Sequence, residues 1–557
     1  MNVGEMQRKL SLWAEQDKER TFYGLFKLIC DLDWLHLAHD YVAQNAGSVT
    51  AGCDGITMYQ FDKRLEANLR SLAQELKDGT YEAYPVRRVN IPKANGKLRP
   101  LGIPTIRDRI VQEALRMALE PIYEADFSED SFGFRPNRCT MDAVQRAYRM
   151  TRNSQKYFWV IEGDIASYFD TINHKKLMKL LRRRIKDEKL LDLIWQFLRA
   201  GVMEGKLYRD THQGTPQGGI ISPLLANIYL HQLDVYMAQY AHLHKYERAR
   251  RRKRGQGNFI YVRYADDFVV MCNGPKAEAE AMKEELYQFL KSTLKLKLSK
   301  EKTKVTHVND GFEFLGFRIK RTVGSAGRMV TKVTIPQGAI TTLCHKLRAM
   351  TSKGSHHDSV SLKIRALNRV IKGWCHYYQY TGEATTQFKR IESVAFWSLA
   401  HWLGRKYKIS MPQVMRRFHR PSAKGIKVLG TETHTLMKAT SIKTKRYLKS
   451  HRKPNPYTTQ EIELERERLP RDTPWIGVEE RPGWADLRLQ VMARDAYMCQ
   501  HCGGVVTPKT GQVDHKRRLS KFKRPVDANR LANLQTLCIV CHKAKTKQEW
   551  QMESPLR

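Results

Sequence analysis

Two adjacent carboxylates, Asp266 and Asp267, stand inside Arg263-Tyr-Ala-Asp-Asp-Phe-Val-Val270. β-forming residues flank them, so 261–264 and 268–271 read as strands and Ala265-Asp266-Asp267 as the turn between them. Acids favour turns, and such a pair alone reads better as a solvated turn. A third carboxylate, Asp164, follows the apolar run Tyr157-Phe-Trp-Val-Ile161 at the exit of another expected strand. Side chains leaving neighbouring strands can converge on one point. Three carboxylates held together repel unless divalent cations neutralise them, and Mg²⁺ prefers hard oxygen donors. Two Mg²⁺ ions about 4 Å apart can activate a 3′-hydroxyl and stabilise a leaving pyrophosphate, the chemistry of phosphoryl transfer to nucleotides.

A second chemical pattern lies near the C-terminus. Cys499-Gln-His-Cys502 and Cys538-Ile-Val-Cys541 form two C-x-x-C pairs separated by 35 residues. Four thiolates so spaced suit a closed tetrahedral Zn²⁺ site; a redox role is the alternative reading of either pair. The other six cysteines (Cys30, Cys53, Cys139, Cys272, Cys344 and Cys375) follow no spacing pattern and read as buried free thiols.

The elements that must position these groups form a mixed pattern. Residues 1–85 read as helical, with apolar residues at Leu65, Leu69, Leu72 and Leu76. Asn95-Gly96 marks a β-hairpin within 86–104. A helix follows over 110–119, then a Gly/Pro loop at Ser131-Phe-Gly-Phe-Arg-Pro-Asn-Arg138, then strands near 157–161, 259–271 and 312–319. Beyond about 325 the pattern is helical, clearest over 362–374. Arg248-Ala-Arg-Arg-Arg-Lys-Arg254 reads as a solvated loop. Residues 404–453 hold fifteen Lys or Arg and one acid, Glu432, and 461–482 read as a helix end and linker before a separate small module.

Composition limits the function. The 97 Lys and Arg against 57 Asp and Glu leave +40, which points to a polyanionic partner. Hydrophobic residues at 41%, with 10 Trp, 24 Tyr and 19 Phe, exclude a wholly disordered chain. No run of eighteen apolar residues suggests a membrane span. Acids at Glu5, Glu15, Asp17 and Glu19 are unlike a signal or transit peptide. The expectation is a cytoplasmic chain, associated with the nucleoid or a ribonucleoprotein.

Together with the motifs around them, these residues resemble the group II intron-encoded reverse transcriptase/maturases of the bacterial type that carry a C-terminal HNH endonuclease. The resemblance runs from about residue 50 to the end. Ala51-Gly-Cys-Asp-Gly-Ile-Thr57 is similar to the family's early motif, and Lys93-Ala-Asn-Gly-Lys-Leu-Arg-Pro-Leu-Gly-Ile-Pro104 to its fingers hairpin. Gly163-Asp-Ile-Ala-Ser-Tyr-Phe-Asp170 is similar to the first catalytic motif. Gly214-Thr-Pro-Gln-Gly-Gly-Ile-Ile-Ser-Pro-Leu-Leu-Ala-Asn227 is the most distinctive match. Leu298-Ser-Lys-Glu-Lys-Thr303 and Phe314-Leu-Gly-Phe317 resemble two later motifs.

The resemblance implies a multidomain α/β protein: a right-hand polymerase with a mixed palm sheet, a helical thumb, a basic DNA-binding segment and a small ββα-metal module with a Cys₄ zinc. The implied boundaries are 1–85 (N-terminal extension and start of fingers), 86–324 (fingers and palm), 325–403 (thumb), 404–483 (basic segment and linker) and 484–557 (HNH module). Asp164, Asp266 and Asp267 would be catalytic and bind two Mg²⁺. Lys93 and Arg99 would face the triphosphate, and Phe169 would lie under the sugar and exclude a 2′-hydroxyl, ordinary core packing being its alternative. The Gln217 amide suits the sugar and primer end, and Lys302 is a candidate phosphate contact or a plain surface lysine. In the HNH module, His515 would be general base, Asp514 and His542 ligands of a divalent ion, and Asn533, or else Asn529, would orient the loop or complete the metal shell. Lys516-Arg-Arg518 stands where many members have a proline.

Trp374, His376, Tyr377, Tyr378 and Tyr380 fall in the thumb, either as stacking groups for RNA bases or, for most of them, as core. The implied function is an RNA-directed DNA polymerase that also binds its intron RNA, promotes splicing and nicks target DNA for intron mobility. The implied partners are intron RNA, target DNA and dNTPs, with a homodimer on the RNA as one arrangement. The rivals are a splicing-only maturase and a reverse transcriptase of retron or CRISPR-associated type.

Overall fold

A computed structural model describes residues 2–45, 47–92, 96, 98–204, 207–209, 213–215, 218–299, 301–324, 327–421, 427–447, 455–458, 484–507, 511–516, 531–538, 540–542 and 544–545. The chain divides into two units, Met1–Thr458 and Thr459–Arg557.

The first unit opens with helices α1 (Val3–Gln16), α2 (Phe26–Ile29), α3 (Leu32–Gln44), α4 (Met58–Asp62) and α5 (Leu65–Asp78). Leu69, Leu72 and Leu76 are buried on α5, as their spacing predicts. Strands β1 (Val86–Pro92) and β2 (Leu98–Ile103) form the hairpin signalled by Asn95-Gly96, with Ile91 opposite Arg99. Then follow α6 (Ile106–Asp126), α7 (Thr140–Met150), β3 (Trp159–Asp164), α8 (Tyr168–Thr171), α9 (His174–Leu181), α10 (Glu188–Arg199), β4 (Val202–Glu204) and β5 (Leu207–Arg209). After these come α11 (Ser222–Ala241), α12 (Lys245–Lys253), β6 (Phe259–Tyr264), β7 (Asp267–Cys272), α13 (Lys276–Leu294) and β8 (Lys304–His307). Segment 248–254, expected as a solvated loop, instead lies largely within α12. It holds no Gly or Pro before Gly255, and Arg, Lys, Ala and Glu are good helix formers.

Strands β3, β6, β7 and β8 make an antiparallel sheet in the order β6-β7-β3-β8. Its residues alternate between two cores. On β7, Phe268, Val270 and Cys272 join the cluster formed with α6, α11 and α13, whereas Val269 and Met271 join the cluster formed with the thumb helices. A sheet covered on both faces needs apolar residues at every position, which is why Phe-Val-Val-Met reads as one run. Gly163 is forced by this packing: a Cβ there would lie 2.2 Å from the Phe268 ring across the ladder.

Strands β9 (Phe312–Phe314) and β10 (Phe317–Val323) follow, then the segment expected as the thumb, with β11 (Met329–Thr334), α14 (Gln337–Met350), α15 (Val360–Tyr378) and α16 (Ala384–Tyr407), and after it α17 (Met411–Phe418), β12 (His419–Pro421) and β13 (Lys427–Leu429). Helix α16 runs through the expected boundary between 403 and 404. Val414, Phe418, Leu429 and Leu436 of the basic segment enter the thumb core. Tyr378 is buried, and Tyr377 stacks on Phe317 while its hydroxyl donates to the Leu315 carbonyl, so these aromatics join α15 to the β9–β10 turn. The second unit has a helix over Trp484–Arg494 and the antiparallel pair β14 (Gly511–His515) and β15 (Leu534–Cys538). Among the described residues no helix is long and apolar enough to cross a membrane.

The β6–β7 turn is held from below. Arg263 is fully buried; its Nε and Nη2 donate to the two Asp234 oxygens at 2.7 and 2.6 Å, and its Nη1 donates to Asn227 Oδ1 and the Ala265 carbonyl, both at 3.0 Å. Burial alone would raise the Asp234 carboxyl, but Arg263 outweighs it, with help from His231, and holds it below the usual carboxylate range. Removing one partner of such a pair strands a buried charge. Asp234→Ala should therefore lower unfolding free energy by about 3–5 kcal/mol, and replacing Asp234 and Arg263 together by apolar residues should cost less. Denaturant unfolding of the three proteins measures both effects.

Candidate active sites

The palm corner is assembled by register. Asp164 ends β3 and lies directly opposite Asp267, which starts β7. Directly opposed residues of antiparallel strands have Cβ atoms about 5 Å apart, so two carboxylates 103 positions apart in sequence become neighbours. Asp266 sits in the two-residue connection from β6, beside Ala265, whose φ is 56°. The backbone of 297–299 runs along the far side: Ala166 N–H donates to the Lys297 carbonyl and Ser299 N–H to that of Asp164. That path carries Lys302 in, and its ammonium lies 3.1 and 3.3 Å from the Asp164 oxygens. Lys302 thus meets a carboxylate while its side chain stays 68% exposed.

The electrostatics are those of a crowded acid cluster. Burial, then the Asp266 and Asp164 charges, push the Asp267 carboxyl up to about 6, with Lys302 opposing. Burial is also the main cause of the raised Asp266 carboxyl; Asp164 adds to it, while Arg99 and Arg263 pull the other way. Arg99, on β2, therefore reaches the corner with its charge. Phe169, on α8, is half-buried, and its carbonyl accepts from Thr215 N–H at 2.7 Å. Lys93, Gln217 and Asn529 lie outside the described residues. The three carboxylates are hard oxygen donors of the kind that Mg²⁺ takes, though they are not gathered as tightly as the four cysteines described next.

In the second unit the Sγ atoms of Cys499, Cys502, Cys538 and Cys541 lie within 4.8 Å of one another, Cys502 and Cys538 at 3.9 Å. A tetrahedron with Zn–S bonds of about 2.3 Å needs sulfurs roughly 3.8 Å apart, so this donor set fits zinc. Asp514 and His515 close β14, and the Lys516 N–H donates to the Asn533 carbonyl, which brings Asn533 to that strand end. Lys545 donates to Asp514 Oδ2 at 2.7 Å and to the His515 carbonyl at 2.8 Å.

Some of the residues that shape these sites lacked an individual sequence argument. Arg263, Asn227 and Asp234 hold the β6–β7 turn, and Lys545 pairs with Asp514. A signal for Asp234 did exist: it is the one carboxylate of the largely apolar α11, two turns after Asn227. A charge buried by such a helix must find a partner.

Three families match in succession. The reverse transcriptase (RNA-dependent DNA polymerase) family matches 91–319, the group II intron maturase-specific domain 340–419 and the HNH endonuclease family 499–548. Protein YkfC of Escherichia coli K12 is 42% identical over 376 residues, covering 63% of this chain and 97% of that protein. The group II intron-encoded protein LtrA of Lactococcus lactis subsp. cremoris is 37% identical over 359 residues, covering 56% of this chain and 59% of LtrA. Nuclear intron maturase 2, mitochondrial, of Arabidopsis thaliana is 30% identical over 281 residues, 39% of this chain and 38% of that protein. The Asp corner falls inside the polymerase match and the four cysteines and Asp514-His515 inside the nuclease match, so the chain belongs to the group II intron-encoded reverse transcriptase/maturases with an HNH endonuclease domain.

Proposed function

We propose that this chain binds its own intron RNA, promotes its splicing, and makes DNA from that RNA at a nick cut by its HNH domain. The intron RNA would enter one target strand by its own chemistry. The freed 3′ end of the other strand would then prime synthesis. The observation that carries this reading is the in-register pair Asp164 and Asp267 beside Asp266 in a chain that also carries Asp514-His515 next to a four-cysteine group. Loss of polymerisation in a splicing-only descendant would be expected to substitute one of the three acids, and all three are present. The partners are intron RNA, target DNA and dNTPs, and the expected setting is a cytoplasmic ribonucleoprotein.

Asp164, Asp266 and Asp267 would hold two Mg²⁺ ions, which when bound would acidify the primer 3′-hydroxyl and neutralise the leaving pyrophosphate. Lys302, with Arg99 and Lys93, would meet the triphosphate. Gln217 would position the sugar and primer end, and Phe169 the deoxyribose. In the nuclease, His515 would take the proton from water, Asp514 and His542 would hold the divalent ion, and Asn533 would fix the loop. The four cysteines would hold a structural Zn²⁺ that contributes folding energy to a small domain.

Asp266→Ala should abolish cDNA synthesis on an RNA template yet leave intron binding and splicing at low salt close to wild type. His515→Ala should remove DNA nicking alone. Splicing no better than that given by an unrelated basic protein would overturn the maturase role.

Asp267 gives a pH dependence. Its carboxyl lies at about 6 against an ordinary 3.8, so its contribution to stability is present below 3.8 and is lost as pH rises through 6. Bound Mg²⁺ offsets that loss. Adding Mg²⁺ at pH 8 should raise the unfolding temperature, the rise should shrink as pH falls through 6, and Asp267→Asn should suppress it.

Metal analysis of the purified chain should find one zinc, and Cys502→Ser should lose it along with nicking while primer extension continues.

A further inference from the structure

Loop 131–138 was notable in sequence only for its Gly and Pro, yet it holds an unusual residue. Phe134 has φ 55°, a left-handed conformation that disfavours bulky side chains. Such strain costs about 1–3 kcal/mol and persists only where neighbours over-determine it. They do so here. Phe132 is fully buried and its N–H donates to the Arg263 carbonyl at 2.8 Å. The Gly133 carbonyl accepts from Asn227 Nδ2 at 2.9 Å, and a Cβ on Gly133 would lie 2.3 Å from Ala265 N in the catalytic turn. Arg135 is buried and donates to Glu124 at 2.7 and 2.9 Å. This scaffold does not put the Phe134 ring into the core. The ring is 49% exposed, and it meets the Phe169 ring edge-on, centroids 6.3 Å apart at 77°.

We infer that Phe134 is a specificity-determining residue: it braces Phe169 and forms a second wall of the sugar pocket, so that a ribonucleoside triphosphate is refused. This rests on reading Phe169 as the residue under the sugar. An apolar pocket rejects an added hydroxyl by only about a hundredfold, so the rejection depends on the wall staying in place. Phe169 is half-buried on a four-residue helix, and an unbraced ring could turn away from the hydroxyl. Its carbonyl is fixed by Thr215 and one side of its ring meets the buried Tyr168 ring, centroids 5.5 Å apart, which leaves the Phe134 side as the one held by an exposed residue.

Phe134→Gly is a favourable test because glycine adopts this φ without strain, so the variant should unfold at no lower temperature than wild type. Single-nucleotide extension of a primer on an RNA template, with a dNTP or the matching rNTP, gives kcat/KM for each. Phe134→Gly should raise the rNTP-to-dNTP ratio by about tenfold, Phe134→Tyr should keep it low, and Phe134→Gly with Phe169→Ala should match Phe169→Ala alone. If Phe169→Ala relaxes the ratio and Phe134→Gly does not, the bracing role is wrong. An equal fall for both nucleotides in Phe134→Gly would also overturn it, since that is the mark of primer or template placement. If neither variant moves the ratio, the reading of Phe169 itself falls, and this role with it.

Discussion

The polymerase corner depends on one buried ion pair. Arg263 and Asp234 are both removed from water, and the remaining guanidinium nitrogen caps the Ala265 carbonyl inside the turn that carries Asp266. A two-residue turn bearing one acid and followed by another would otherwise relax outward, because both carboxylates gain solvation by leaving the protein. The capped carbonyl fixes the turn from within. Asn227 extends the hold, accepting from Arg263 and donating to Gly133, so that α11, the β6–β7 turn and loop 131–138 form one polar unit in an otherwise apolar layer. Arg263, Asp234 and Asn227 are each hydrogen-bonded within it, and a network satisfied at its centre is rigid.

A common electrostatic arrangement occurs at both chemical sites. In each, the carboxylate best placed to bind a metal carries a lysine ammonium: Lys302 on Asp164, and Lys545 on Asp514. Clustered carboxylates require a nearby cation, and in a chain of net charge +40 a lysine is readily at hand. An ammonium is a single strongly hydrated charge on a flexible stem, so it balances the site without fixing its geometry. A divalent ion supplies twice the charge with directional oxygen contacts. The same acids are thus balanced by lysine in the folded state.

Much of this was legible in sequence. The hairpin at Asn95-Gly96, the β-forming runs 261–264 and 268–271 and the paired C-x-x-C motifs each follow from local rules and each correspond to an element of the structure. Other features could not be read there, for physical reasons. The pairing of Asp164 with Asp267 is a matter of register between strands about a hundred residues apart. The left-handed backbone at Phe134 is imposed by Arg263, Asn227 and Glu124, none of them local. Helix α12 was mistaken for a loop because seven positions dense in charge look solvated, although solvated Arg and Lys are also good helix formers.

The basic segment shows where charge misleads about architecture. Its fifteen cations mark a change of composition at 404, but the fold makes no break there, because the apolar positions between the cations belong to the thumb. Asn368 on α15 clamps the segment by donating to the Thr435 carbonyl and accepting from Met437 N–H, at 2.8 and 2.9 Å. Arg365, Arg369 and Lys372, at helical spacing on the same helix, line a groove of about 570 Å³ together with Met437, Ser441 and Ile442. The thumb and the basic segment therefore share one cationic surface, and the field that draws a polyanion to it is a property of both. Charge density reports where a phosphate backbone would be met; the hydrophobic positions between the charges decide which domain meets it.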